Sequence, residues 1–129
     1  MRAIDANVIV RFLTGDDPVQ FVRARDALAA GPSFVSTCVC LEAEWVLRSA
    51  FGYNRETVAS SLTRLAGMRG VQLERPAVLH QAIEWLREGM DFADALHLAS
   101  ADGCEAMLSF DIKLGKVAKR IGTIPVVAP

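Results

Sequence analysis

The chain has 129 residues, 52% hydrophobic and 22% charged, which suits one globular domain with a sizeable core and excludes a disordered or fibrous segment. Its formal net charge of −1 excludes a nucleic-acid binder that works through overall charge, so any phosphate-binding surface must be a local patch. No run approaches the roughly 18 to 20 apolar residues of a membrane span, and Asp5 and Asn7 interrupt the apolar N-terminal stretch with no small-residue cleavage site after it, so a cytoplasmic protein is expected.

In chain order, short β-like runs alternate with helical stretches, and neither a repeat nor a linker breaks them. That pattern predicts a parallel sheet covered by helices. Arg2 to Ile4 reads as a first strand ending at Asp5, and Asn7 to Leu13 as a short helix stopped by Thr14-Gly15. Asp17 caps a helix that opens with Pro18, runs to Ala30 and is closed by Gly31-Pro32. Phe34 to Ser36 is a short buried strand. Thr37 is the expected N-cap of the next helix, with Val39, Ala43, Val46, Leu47 and Ala50 on one face and Gly52 ending it near Phe51.

Asn54 can cap a helix to about Ala66, after which Gly67 to Gly70 leads into a third strand, Val71 to Leu73. Pro76 opens a helix to about Arg87. In MDFADALHLASADG, Asp91 is the N-cap, Asp94 stands in the first turn and Gly103 closes the helix. A fourth strand, Ala106 to Ser109, leads to Asp111, followed by a helix from Ile112 to Ile121 and a strand from Thr123 to Val127. Cys38, Cys40 and Cys104 are odd in number and lack zinc-finger spacing, so they read as reduced thiols of the core.

Four acids carry the functional signal: Asp5, Glu42, Asp94 and Asp111. In an open parallel sheet the functional crevice lies beyond the carboxyl ends of the strands. Asp5 and Asp111 occupy two such ends, and Glu42 and Asp94 sit in early turns of helices able to overhang them. Gathering like charges is costly, roughly 4 kcal/mol for a pair about 4 Å apart at an effective dielectric of 20. A divalent cation removes that cost, and an all-oxygen donor set favours Mg²⁺, with Mn²⁺ as a substitute, over Zn²⁺. One or two such ions would direct water at a phosphodiester. Asn7 and Ser109 are candidates for orienting Asp5 and Asp111.

The segments DANVIVRFLTGDDP, CVCLEAEWVLRSAFG, FADALHLASA and LSFDIKLGKVAK, in that order, resemble the motifs of the PIN-domain nucleases, and the length and layout resemble VapC-type toxins of type II toxin–antitoxin pairs. Ala6 departs from the family's more usual Thr, which removes a hydroxyl but no metal ligand. The resemblance implies a three-layer α/β/α domain with a central parallel sheet of about five strands. It further implies a Mg²⁺-dependent endoribonuclease with Asp5, Glu42, Asp94 and Asp111 as metal and catalytic residues, a homodimer or toxin–antitoxin hetero-oligomer, and a cognate antitoxin that blocks the site. It does not choose the RNA.

Each residue also has a plainer role open to it. Asp94 suits the helix macrodipole and Asp111 an N-cap. Glu42 borders the apolar stripe of its helix, whereas Glu44 is expected to point farther away, which favours Glu42 as the site acid. His97, one turn after Asp94, is either a helix histidine or a group that reaches the crevice. Trp45 and Trp85 suit a core or a dimer face. Arg11 and the cluster Lys113, Lys116, Lys119 and Arg120 are either RNA contacts or a solvated face. Two other functional classes remain: a metal- or partner-binding module without turnover, and a phosphotransfer protein, against which Asn7 stands where an Asp-x-Asp phosphatase needs its second aspartate. The mean hydropathy of +0.28 is compatible with a dimer face or with a generous core.

Overall fold

The computed structural model describes all 129 residues as two compact units, Met1–Pro76 and Ala77–Pro129. Every strand pairing is parallel, and the chain is an α/β protein with seven helices and five short strands.

The first unit contains β1 (Arg2–Ala3), α1 (Ala6–Thr14), α2 (Pro18–Ala29), β2 (Ser33–Val35), α3 (Thr37–Ser49), α4 (Arg55–Ala66) and β3 (Val71–Leu73). Its sheet has the order β1-β2-β3, with Ala3 opposite Phe34 and Phe34 opposite Gln72. Because all three strands run the same way, their carboxyl ends share one edge. The helices start where polar caps sit: Asp5 before α1, Asp17 and Pro18 at α2, Ser36 before α3 and Asn54 before α4. The α1 helix ends at Gly15, whose φ of 63° is a left-handed conformation that glycine adopts without penalty.

Helix α1 packs on α2 and α3, and α3 packs on α4. Ile9, Val35, Leu47, Val58, Leu62 and Leu65 are fully buried, each large side chain contributing about 1.5–3 kcal/mol. Phe12 of α1 stacks on Phe21 of α2 with ring centroids 6.0 Å apart, and Arg64 of α4 lies over the Phe12 ring while donating to the Leu13 carbonyl at 3.2 Å. Glu74, just past β3, accepts from the Thr37 amide at 2.9 Å and so ties the start of α3 to the end of the third strand.

The second unit contains α5 (Pro76–Arg87, all but its first residue), α6 (Phe92–Ser100), β4 (Met107–Leu108), α7 (Ile112–Ile121) and β5 (Val126–Val127). Strands β4 and β5 pair in parallel, Met107 opposite Val126 and Leu108 opposite Val127. Phe92, Met90 and Leu98 are fully buried. The guanidinium of Arg120, on α7, donates to the Glu88 carbonyl at 2.7 Å and stands 3.1 Å from where a Cβ on Gly89 would lie.

Several boundaries differ from expectation. Ser36, not Thr37, caps α3: its hydroxyl accepts from the Val39 amide, so it leaves the strand and Thr37 is the first helical residue. The packed face of α3 is formed by Cys40, Ala43, Glu44 and Leu47, while Val39 and Val46 are half-buried and Ala50 is exposed. Helix α6 ends at Ser100 with Ala101 as its cap, and Gly103 lies in the turn beyond. The last two strands are only two residues each, shorter than the runs 106–109 and 123–127. All three cysteines are free, but only Cys40 is in the core. Cys38 and Cys104 are exposed.

Candidate active site

Each unit places two of the four acids; Asp5, Glu42 and Asp111 follow strands that hand the chain to a helix, whereas Asp94 stands on α6, which follows helix α5. In the first, β1 continues into Ile4, whose amide donates to the Phe34 carbonyl at 2.9 Å. Asp5 then turns into α1 as its N-cap, one carboxylate oxygen accepting from the Ala6 amide at 2.8 Å. The neighbouring parallel strand β2 delivers Ser36 and α3 at the same sheet edge. Glu42, in the second turn of α3, is exposed.

In the second unit, β4 leads through Ser109 to Asp111. The Ser109 hydroxyl accepts from the Asp111 amide at 3.0 Å, and the Asp111 carboxylate caps α7 by accepting from the Leu114 amide at 3.0 Å. Ser109 thus helps to fix the backbone turn that leads into Asp111. Asp94 lies in the first turn of α6, its amide held by the Asp91 carboxylate at 3.2 Å. Partial burial holds the Asp94 carboxyl above its ordinary value, the charges of Asp91 and Asp111 push it in the same direction, and His97 opposes them. Asp94 and Asp111 are therefore brought within electrostatic reach of each other, and His97 lies in the same field.

Glu44 corrects one step of the sequence reading. It does not point away from the packed face: it is 3% exposed, and its carboxylate takes the Arg48 guanidinium at 3.1 Å one turn on. Its charge is committed to that ion pair, which leaves Glu42 as the solvent-facing acid of α3. The apolar-stripe template missed this because a carboxylate neutralised by a neighbouring arginine packs where template positions demand an apolar side chain.

Asn7 makes no hydrogen bond to Asp5. It lines a recess of about 300 Å³ between α1 and α2, together with Val8, Arg11, Gln20 and Arg23. Arg11 is held by Asp16 at 2.8 Å and by Gln20 at 2.7 Å, so part of its charge is already spent within the fold. Lys113 and Lys116 are both exposed on α7, which has no acidic residue to offset its Lys113, Lys116, Lys119 and Arg120. Trp45 is 58% exposed, more than a core role allows, and Trp85 is half-buried.

The sequence reading passed over Phe110. It lies between Ser109 and Asp111, is 85% exposed, and lines a recess of about 310 Å³ with Ser109, Asp111, Lys116 and Lys119. The available signal was a large apolar residue standing directly before the candidate acid Asp111, just past the end of β4.

Nowhere do three or more His, Cys, Asp or Glu side chains form a ready-made ion cage. The donor chemistry nonetheless fits a hard divalent cation. Asp5 and Asp111 each spend one oxygen on a helix cap and keep the other, and the mutual repulsion felt at Asp94 is of the kind a cation relieves.

Carboxylates beyond the carboxyl ends of parallel strands, in an α/β chain, have donor chemistry suited to hard cations. The PIN domain model matches residues 3–120, and the chain belongs to the PIN domain family. PIN domains are in general metal-dependent nucleases, so the class of activity is phosphodiester hydrolysis. No curated protein sequence gives a significant match. No helix is long and apolar enough to cross a membrane.

Proposed function

We propose that the protein is a metal-dependent endoribonuclease, the VapC-type toxin of a type II toxin–antitoxin pair, working as one domain with Asp5, Glu42, Asp94 and Asp111 acting on Mg²⁺ or Mn²⁺. The observation that carries the reading is that the chain belongs to a family whose members are in general nucleases, supported by the placing of Asp94 within reach of the Asp111 charge. A single family model running from residue 3 to residue 120 supports reading the two units as parts of one domain. The homodimer and the cognate antitoxin are part of the proposal through the resemblance of the four motifs to such toxins.

A divalent ion bound there supplies Lewis-acid stabilisation of the charge that builds on the phosphodiester. The remaining work belongs to the chain. Asp94 is held above its ordinary carboxyl value by partial burial and by the charges of Asp91 and Asp111, a repulsion that a cation would relieve. The caps at Asp5 and Asp111 fix two carboxylates against rotation, because each has one oxygen pinned to a backbone amide, and a fixed donor loses little entropy on binding. His97 is exposed one turn beyond Asp94, and its charge opposes the carboxylate repulsion there.

The test is cleavage of total cellular RNA by the purified protein with Mg²⁺ or Mn²⁺, beside EDTA and Asp94→Asn controls. Discrete fragments that vanish in both controls are expected. Intact RNA from folded, antitoxin-free protein would overturn the nuclease reading.

A further inference from the structure

We propose that Phe110 is a stacking platform for a base of single-stranded RNA, with Lys116 and Lys119 holding the adjoining phosphates; this rests on the nuclease reading and names how the site takes its substrate. Three observations converge on it. First, the ring is 85% exposed and directly precedes Asp111, so a base lying on it would bring its phosphate next to a proposed catalytic acid. Second, the recess of about 310 Å³ beside the ring is lined by Lys116 and Lys119. Gly115, which has no side chain, lines the same recess. Third, α7 carries four basic residues and no acidic one, in a chain whose net charge is −1, so positive charge is concentrated on this helix.

An aromatic face flanked by cations is the combination that binds single strands without demanding a sequence, since every base has a π face and every nucleotide a phosphate. A protein partner fits less well. Exposed Ile112 adds apolar area beside Phe110, but a twofold contact of this face with a second copy would set the lysines of α7 against their own counterparts.

Binding of a short fluorescein-labelled single-stranded RNA is measured in EDTA, so that affinity is read without cleavage, and cleavage with Mg²⁺ is measured in parallel. Phe110→Ala should weaken binding about 5- to 150-fold with an unchanged melting temperature. Phe110→Trp should retain the affinity, and Phe110→Leu, which keeps apolar bulk but has no π face, should behave as Phe110→Ala. The double variant Lys116→Ala/Lys119→Ala should flatten the slope of log affinity against log salt by about 1.4. The stacking role is overturned if Phe110→Ala binds as wild type, if Phe110→Leu restores full affinity, or if Phe110→Ala only changes the sedimentation of the protein. Wild-type cleavage with a neutral Phe110→Ala would remove this inference alone; neither binding nor cleavage by wild type would remove the nuclease reading with it.

Discussion

Asp111 has two roles that one pair of variants separates. Its carboxylate caps α7 through the Leu114 amide, and its charge raises the cost of ionising Asp94. Asn caps a helix about as well as Asp, whereas Ala does not, and losing such a cap costs about 1 kcal/mol. Both Asp111→Asn and Asp111→Ala remove the charge that bears on Asp94, so the difference between the two variants isolates the cap. For a chain of 129 residues the unfolding entropy is about 0.27 kcal/mol/K, so the Ala variant should melt about 4 °C below the Asn variant. Melting is followed by circular dichroism in EDTA, and RNA cleavage in Mg²⁺ is measured beside it. Asp111→Asn should keep its fold and lose cleavage. Equal melting temperatures for the two variants would refute the capping assignment, and wild-type cleavage by Asp111→Asn would refute the need for its charge.

Glu42→Gln should abolish cleavage and leave stability within about 0.5 kcal/mol, as for an exposed surface change, while Glu44→Gln should cost about 1 kcal/mol of stability through the lost Arg48 pair and keep cleavage; the reverse pattern would make Glu44 the site acid. Asp94 has a folded pKa above its ordinary 3.8, so the fold binds that proton more tightly than the unfolded chain does. Stability from this group therefore rises as pH falls between those two values, and at neutral pH its charge costs stability. Metal-free Asp94→Asn should melt above wild type at pH 7, with the gap closing as pH drops toward 3.8; a gap that widens would reverse the sign. A thiol reagent should titrate Cys38 and Cys104 in the native protein and reach Cys40 only on unfolding, since burial, seconded by the Glu74 charge, pushes Cys40 up to about 12; three fast thiols would contradict its burial.

The helix starts were the most legible part of this chain, because a cap is a local event. Asp17-Pro18, Asn54, Asp91 and Asp111 each announce a helix within a few residues, and each caps the helix expected. Where two cap residues stand side by side, as in Ser36-Thr37, sequence order alone did not say which hydroxyl would turn to the amides. The strands were less legible, since pairing is non-local. The runs 106–109 and 123–127 have the right composition, but only Met107–Leu108 and Val126–Val127 find ladder partners. Composition likewise did not separate the three thiols, because Cys packs as a small apolar residue and tolerates exposure equally well.

Among the candidate acids, the strand-end positions of Asp5 and Asp111 were legible, because each acid interrupts an apolar run. The burial of Glu44 was not. Its pairing with Arg48 depends on rotamers of a particular helical turn, and a stripe of apolar positions is blind to a carboxylate that has been neutralised.

The capping chemistry itself argues that the acids are more than caps. This chain caps α3 with Ser36 and α4 with Asn54, so neutral side chains serve well as helix starts here. At α6 and α7 it uses Asp91 and Asp111, and adds Asp94, so that three carboxylates share one electrostatic neighbourhood with only His97 opposing them. Capping alone does not need this charge: Asn at 91 and 111 would make the same bonds and spare Asp94 the repulsion. On the proposed function, the repulsion at the starts of α6 and α7 is stability spent on the site. On the proposed mechanism a divalent cation turns that repulsion into affinity, so the melting gain expected for metal-free Asp94→Asn and its loss of cleavage should arise together from a single charge.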